Sequence, residues 1–291
     1  MEHVIAFIQV VASGLLTGGL YALVGIGLSL VFGVMRLVNF AHGEFLALGM
    51  YGALWLYQRW QVDPFAAVLV IFPAVVALGY GVERFFLAPI SGAPEHSFIL
   101  MTVGIGLIIS NLLLFGFGAH PQSIYTAYST ATFNLGGVSL SKPLSASFLL
   151  TVLIIGGLYW LLLRTELGRA IRATAQNREA AELQGIDTGR MRALVFGIAA
   201  ALAAVAGTLM LPILYVIPTI GGTFTLKAFV VTVLGGMGNV AGAIGGGLLL
   251  GVAESLGATY VSSGYRDAFG LVAFLLVLSM RPAGLFGKSR V

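Results

Sequence analysis

No cysteine occurs in this chain, which excludes disulfides and thiolate metal sites but leaves the compartment open. Charge is scarce as well. Charged residues make up 9% of the 291 positions against 58% hydrophobic ones, and the mean hydropathy is +1.00. A soluble domain of this length needs far more charged surface, so the composition reads as an all-α polytopic membrane protein. The roughly ten-residue alternating segments of a membrane β-barrel are missing. Met1-Glu2-His3 is no basic signal-peptide start and no small-residue cleavage site follows, so the first apolar run is expected to stay as an anchor. H-E-x-x-H, G-x-S-x-G and an evident acid–base pair are absent, which argues against an intramembrane enzyme. The phosphate loop G-x-x-x-x-G-K-[ST] is absent too, so the chain does not bind ATP by that motif. His3, His42, His96 and His120 are too scattered for a metal site.

Long apolar runs dominate what is present. A helix needs about 20 apolar residues to cross the hydrocarbon core. Val4 to Met35, Phe65 to Val82, Phe98 to Gly118, Ala146 to Leu163, Ala193 to Ile217 and Ala268 to Met280 are such runs, and Leu37 to Tyr57 and Ala228 to Ala253 are weaker ones. The expectation is a single membrane domain over 1–291 with about eight transmembrane or re-entrant helical elements, give or take one. Forty glycines are many. Small residues let membrane helices approach closely, and Gly14, Gly18, Gly19, Gly25 and Gly27 could form such a seam in the first run.

The 29 residues from Arg164 to Arg192 hold ten of the chain's 26 charged side chains, six Arg and four acids. Loops with basic excess face the cytoplasm, so this island is placed inside. Counting back puts 119–146 outside, Glu83 to Ser97 inside, Gln58 to Asp63 outside, Arg36 inside and the N-terminus outside. The net charge of +4 is then explained by cytoplasmic loops, with no nucleic-acid partner. Counting forward, two more simple crossings would leave Arg281, Lys288 and Arg290 outside, against the charge rule. The expectation is therefore that 219–257, with Lys227 and the glycine-dense run Gly235 to Gly247, is a broken or re-entrant element. A cysteine introduced as Ser289→Cys is expected to resist a membrane-impermeant maleimide in intact cells. External labelling would rule this arrangement out.

Two local signals stand out. Thr132 to Leu135 and Val138 to Leu140 flank Gly136-Gly137, a hairpin turn within an external segment that is either a docking cap for a soluble partner or a solvated loop. Asn177 reads as an N-cap, Glu179 and Glu182 as first-turn acids and Gly185 as a stop, which defines a helix of about two turns with Ala180, Ala181 and Leu183 as contacts. So short a helix needs packing to hold it, on the membrane domain or in another protein's groove; the other reading of these residues is a positive-inside loop lying on lipid headgroups.

The pattern T-x-L-G-R-A-I-R-A-x-x-x-N-x-x-A-A-x-L-x-G-I from Thr165 to Ile186 resembles the coupling loop of permeases in the branched-chain amino acid ABC importer family. The resemblance extends to GLLTGGLYALVGIGLSLVFGVMRLVNFAHGEFLALGMY from Gly14 to Tyr51 and to LGGMGNVAGAIGGGLLLG from Leu234 to Gly251. It implies a transport subunit in a bacterial inner membrane that pairs with a second homologous permease, favouring a different one. It also implies two cytoplasmic ATPase subunits that carry ATP and Mg, and an extracytoplasmic binding protein. Gly168, Arg169, Arg172, Ala180, Ala181 and Gly185 would belong to the ATPase contact. The implied substrates are branched-chain or other hydrophobic amino acids, or related small solutes such as urea, amides or aromatic acids.

The remaining polar groups bear on the path. Arg36, Asn39, His42 and Glu44 form a cluster placed near the cytoplasmic interface, either an interfacial turn with Asn39 as a cap or part of an inner gate. Gly235, Gly236, Gly238 and Asn239 are further candidates for the path. Asn111 and Glu254 are isolated polar groups that either bond between helices or meet substrate. The alternative function is an ion-gradient-driven secondary transporter or channel, which usually places carboxylates or broken helices at mid-membrane.

Overall fold

The computed structural model describes residues 2–287; Lys288, Ser289 and Arg290 lie outside the described residues. The chain is built of α1 (Glu2–Met35), α2 (His42–Trp60), α3 (Pro64–Val82), α4 (Glu95–Phe117), α5 (Lys142–Arg164), α6 (Glu166–Gln176), α7 (Arg178–Leu183), α8 (Thr188–Met210), α9 (Ile220–Gly235), α10 (Val240–Tyr260) and α11 (Arg266–Met280). A hairpin of β1 (Thr132–Leu135) and β2 (Val138–Ser141) interrupts them. Among the described residues, seven helices are long and apolar enough to cross a membrane; α2 and α9 are not among those seven.

Helix α8 is the hub. It is alanine- and glycine-rich and buried from Val195 to Met210, its small side chains letting neighbouring helices close on it from every side. Neighbours approach its backbone at glycines. A Cβ on Gly49 of α2 would lie 1.9 Å from the Ala204 carbonyl oxygen, and one on Gly197 of α8 would lie 2.5 Å from the Val76 oxygen of α3. Helix α1 runs against α10 through a glycine seam: Gly14 meets Val252 and Gly251, and Gly18 meets Gly247 and Leu248. Gly19 instead faces Phe148, Gly25 faces Val231 and Gly27 faces Ala199, so the first-run glycines serve four different helices rather than one seam.

The two ends of the bundle differ in chemistry. At one end, the start of α1 meets the β hairpin, with Ile5 against Gly137, and Gln122 pairs with Val216 and Gln58. At the other end, Val34, Met35 and Arg36 line a cavity with Thr174 to Glu179 and Arg192. The hairpin turn uses Gly136 and Gly137 at φ 57° and 93°, positive values that a tight hairpin turn requires.

Segment 219–257 is two helices, not one. Helices α9 and α10 meet at Gly236–Asn239, with Gly236 at φ 91° and Gly238 at φ 80°, and this turn packs on Gly33 at the basic end. Nine longer helices result among the described residues, within the expected eight give or take one, and a hydropathy window averages over the four-residue break between α9 and α10. The extra pass brings Leu285, which donates to the Leu234 oxygen at 2.8 Å, back to the basic end.

Two helices begin deep in the bundle. His42, first residue of α2, places Nε2 2.9 Å from the Val24 oxygen of α1. Val24 lies eleven residues before Met35, roughly 16 Å back along the helix. After α1 ends, the chain therefore climbs back to mid-depth before α2 starts. The same happens after α8: from Val216 at the hairpin end the chain descends, the Pro218 oxygen accepts from Ser110 at 3.2 Å, and α9 starts beside α2. The units α1–α2 and α8–α9 are thus inverted copies of one design, a long helix, a re-entry and a short helix starting at mid-depth. Inverted units of this kind are a common plan for transporters.

Candidate functional site

The charged island folds as the sequence pattern predicts. Thr165 Oγ1 accepts from Gly168 N at 3.0 Å to cap α6. Asn177 Oδ1 accepts from Ala180 N at 3.0 Å to cap α7. Gly185, at φ 79°, ends the segment, and Asp187 caps α8 by accepting from Arg190 N at 2.9 Å. Glu182 is held by Arg178 at 3.1 Å and by the Thr188 hydroxyl. These hydrogen bonds, from Thr188 and then Arg178, keep its carboxyl below the ordinary range. Three successive caps make this loop a built element rather than a slack connection.

The six residues assigned to this loop divide by position. Arg169, Ala180 and Gly185 are exposed. Gly168 is buried where α6 folds back on α5, and a Cβ there would lie 2.2 Å from the Leu161 oxygen. Ala181 is also buried, together with Ile171 on the inner face of α6. Arg172 turns inward and lines a cavity of about 630 Å³ with Ser29, Gly33, Tyr159, Gly238 and Asn239. Leu183 points outward and is 86% exposed, an apolar side chain left without cover on a polar loop. Behind the loop, Arg192 of α8 pairs with Glu83 at 3.1 Å, just beyond α3.

The path candidates divide too. Asn39, His42 and Glu44 lie at the mid-depth junction of α2 and α9, not at the interface where the sequence reading puts them; Arg36 alone is at the end of α1. The reason is the re-entry of 36–41, which residue order does not reveal. Asn39 Oδ1 accepts from Ala41 N at 3.0 Å, a turn bond that tightens the entry to α2. Gly43 N donates to Thr225 Oγ1 at 2.9 Å, and a Cβ on Gly43 would lie 2.0 Å from the Gly221 oxygen. Gly235, Gly236, Gly238 and Asn239 sit at the basic end instead. There Asn239 Oδ1 accepts from Gly242 N at 3.0 Å, capping α10, and its Nδ2 donates to the Phe286 oxygen at 3.0 Å. Asn111 bonds back to Leu107 within its own helix and joins nothing.

Sequence reasoning missed one cluster. Lys227 of α9 contacts Glu254 of α10 and, at 2.7 Å, Asp267 of α11. Tyr21 of α1 donates to Glu254 at 2.9 Å, and Arg266 stands 3.6 Å from the same carboxylate. The available signal was charge arithmetic: beyond the island, Glu254 and Asp267 are the last two acids in the chain. Among the described residues, no three His, Asp or Glu side chains are grouped to hold a metal ion.

Inverted units, paired mid-depth helix starts and a capped basic loop describe a transport subunit, and comparison with known proteins decides which. Residues 10–280 match the family model of the branched-chain amino acid transport system permease component. The chain belongs to this family. It is 35% identical to the high-affinity branched-chain amino acid transport system permease protein BraD of Pseudomonas aeruginosa, covering 100% of this chain and 99% of that one. It is 31% identical to the corresponding LivH protein of Escherichia coli K12, over 100% of this chain and 98% of LivH. A weaker likeness, 28%, covers 93% of this chain and 68% of the permease protein LivM of the same strain. No solved structure matches the permease.

Proposed function

We propose that this permease is the membrane subunit of a binding-protein-dependent ABC importer for branched-chain or other hydrophobic amino acids. ATP would be hydrolysed, with Mg, by separate cytoplasmic ATPase subunits; the chain's own lack of a phosphate loop supports that division. The observation that carries the reading is the triply capped loop 165–187 with its uncovered Leu183. A rigid, amphipathic element of this kind fits a groove on a soluble partner, and Arg169 beside it can anchor acidic or carbonyl groups.

The second permease is read as a different chain, because both LivH and LivM of one organism resemble this one. The extracytoplasmic binding protein is assigned to the hairpin end, opposite the basic loop. The relatives BraD and LivH come from bacteria, which supports a bacterial inner membrane.

The test is co-purification in mild detergent from the native membrane. The parent chain is expected to bring down P-loop ATPases, and Arg169→Glu with Leu183→Glu is expected to lose them while keeping the second permease. A parent chain that is well expressed and free of ATPase would move the ion-gradient carrier to the front.

A further inference from the structure

We propose that the Glu44 carboxylate is the group on the translocation path that receives the ammonium of the substrate, which restricts the cargo to amines and amino acids. The proposal rests on the importer reading and names the substrate chemistry of its path.

Glu44 stands where the starts of α2 and α9 cross at mid-depth. Its carboxylate lies against Gly221, where an added Cβ would fall 2.3 Å from Oε2. Its Cγ lies over Gly106 of α4, 3.4 Å from where a Cβ would be. A side chain at Gly221 would push the carboxylate away, so this glycine makes the room it occupies, while Gly106 gives ordinary contact. Oε2 is buried and has no hydrogen-bond partner. The two fully buried acids have cations: Glu83 has Arg192 and Glu254 has Lys227. No ion pair includes Glu44 among the described residues.

A carboxylate at this depth without a cation is costly unless it lines a cavity or meets a partner, and such a group is a functional-site hypothesis by default. The site is not sealed. Glu44 is half-buried, Phe40 beside it is 41% exposed, and Leu107 is 61% exposed on α4. Gly222 opens on empty space. A lone anion in a mostly apolar bundle suits a cation carried on an apolar body. Two residues earlier, fully buried His42 turns to α1 instead, with Nε2 at the Val24 oxygen, so it does not share the pocket of Glu44. Both α2 and α9 also direct the positive ends of their dipoles here, so a zwitterion finds its carboxylate accommodated beside its ammonium. Urea, amides and simple carboxylic acids lack the ammonium that would complete the site.

The experiment uses the whole complex, with its second permease, ATPases and binding protein, in proteoliposomes. Uptake is read for leucine, for 4-methylpentanoate (the leucine skeleton without its amino group) and for urea. The parent is expected to carry leucine. Glu44→Gln should cut leucine uptake roughly ten- to hundredfold, the size of a lost charge-assisted hydrogen bond, while ATP hydrolysis stimulated by the loaded binding protein continues. Glu44→Asp, with the charge kept but withdrawn, should fall between. Uptake at the parent rate in Glu44→Gln overturns the proposal, as does a parent that carries urea or 4-methylpentanoate and not leucine. Joint loss of uptake and stimulated hydrolysis in an assembled Glu44→Gln complex would mark a structural role and overturn it too. If Glu44→Gln does not assemble, Glu44→Asp decides: intermediate uptake with intact hydrolysis supports the proposal, and parent uptake sinks it. Failure of the importer reading is separate, since it shows as a parent chain that brings down no ATPase.

Discussion

Replacing Lys227 by methionine is expected to destabilise the permease by about 3–5 kcal/mol, the usual cost of removing one partner from a buried ion pair. Lys227 is 12% exposed and Glu254 1%, so neither charge can fall back on water. Lys227 Nζ joins Glu254 of α10 to Asp267 of α11 and sits 4.9 Å from the centre of the Tyr21 ring of α1. Its loss would leave Glu254 with the Tyr21 hydroxyl at 2.9 Å and Arg266 at 3.6 Å, too little for a carboxylate deep in an apolar bundle. Helix α11 should feel the loss most, because few of its other residues are buried; Gly270 is the exception, fitted against Leu250 and Glu254. Thermal unfolding in detergent, followed by size-exclusion chromatography, should show Lys227→Met melting well below the parent. The combination Tyr21→Phe, Lys227→Met and Glu254→Leu should recover most of the difference, since no buried carboxylate is then left without its cation. A single Lys227→Met as stable as the parent would mean that apolar packing alone holds α11.

How much of this was legible in the residues follows from the range of each interaction. The hairpin at Gly136-Gly137 and the caps at Asn177 and Gly185 were readable because their causes lie within four residues of their effects. The membrane class was readable because hydropathy is a sum over long runs. The mid-depth starts of α2 and α9 were not. Leu37 to Tyr57 is only weakly apolar, and whether α2 starts at the interface or at mid-depth depends on Val24, Thr102 and Gly221, none of them near it in the chain. The buried pairs were hidden for the same reason: Glu83 and Arg192 are brought together only by the packing of α3 on α8. The candidate residues Asn39, His42 and Glu44 were therefore placed at the wrong depth. The candidates Gly235, Gly236, Gly238 and Asn239 were grouped with them, although their backbone angles serve a turn at the basic end.

The pair Glu83–Arg192 bears directly on how a signal from the loop would enter the membrane. Arg192 follows the loop by one turn of α8 and Glu83 follows α3, so a movement of the loop reaches α3 through this contact. Both side chains are buried, yet the pairing is incomplete, for Arg192 Nε finds no hydrogen-bond partner. Incomplete buried pairs are poor stabilisers but are costly to break from one side. Glu83→Met or Arg192→Met alone should each cost about 3–5 kcal/mol, whereas the double change should return to within about 1 kcal/mol of the parent. Thermal unfolding of the four proteins in one detergent gives the cycle. The double variant then separates stability from coupling. If the charge pair carries the movement, the stable double variant should hydrolyse ATP in the complex at the parent rate yet move less leucine per ATP. Parent-level uptake per ATP would instead assign the coupling to the glycine contact of Gly79 on Gly197, where α3 and α8 touch backbone to backbone.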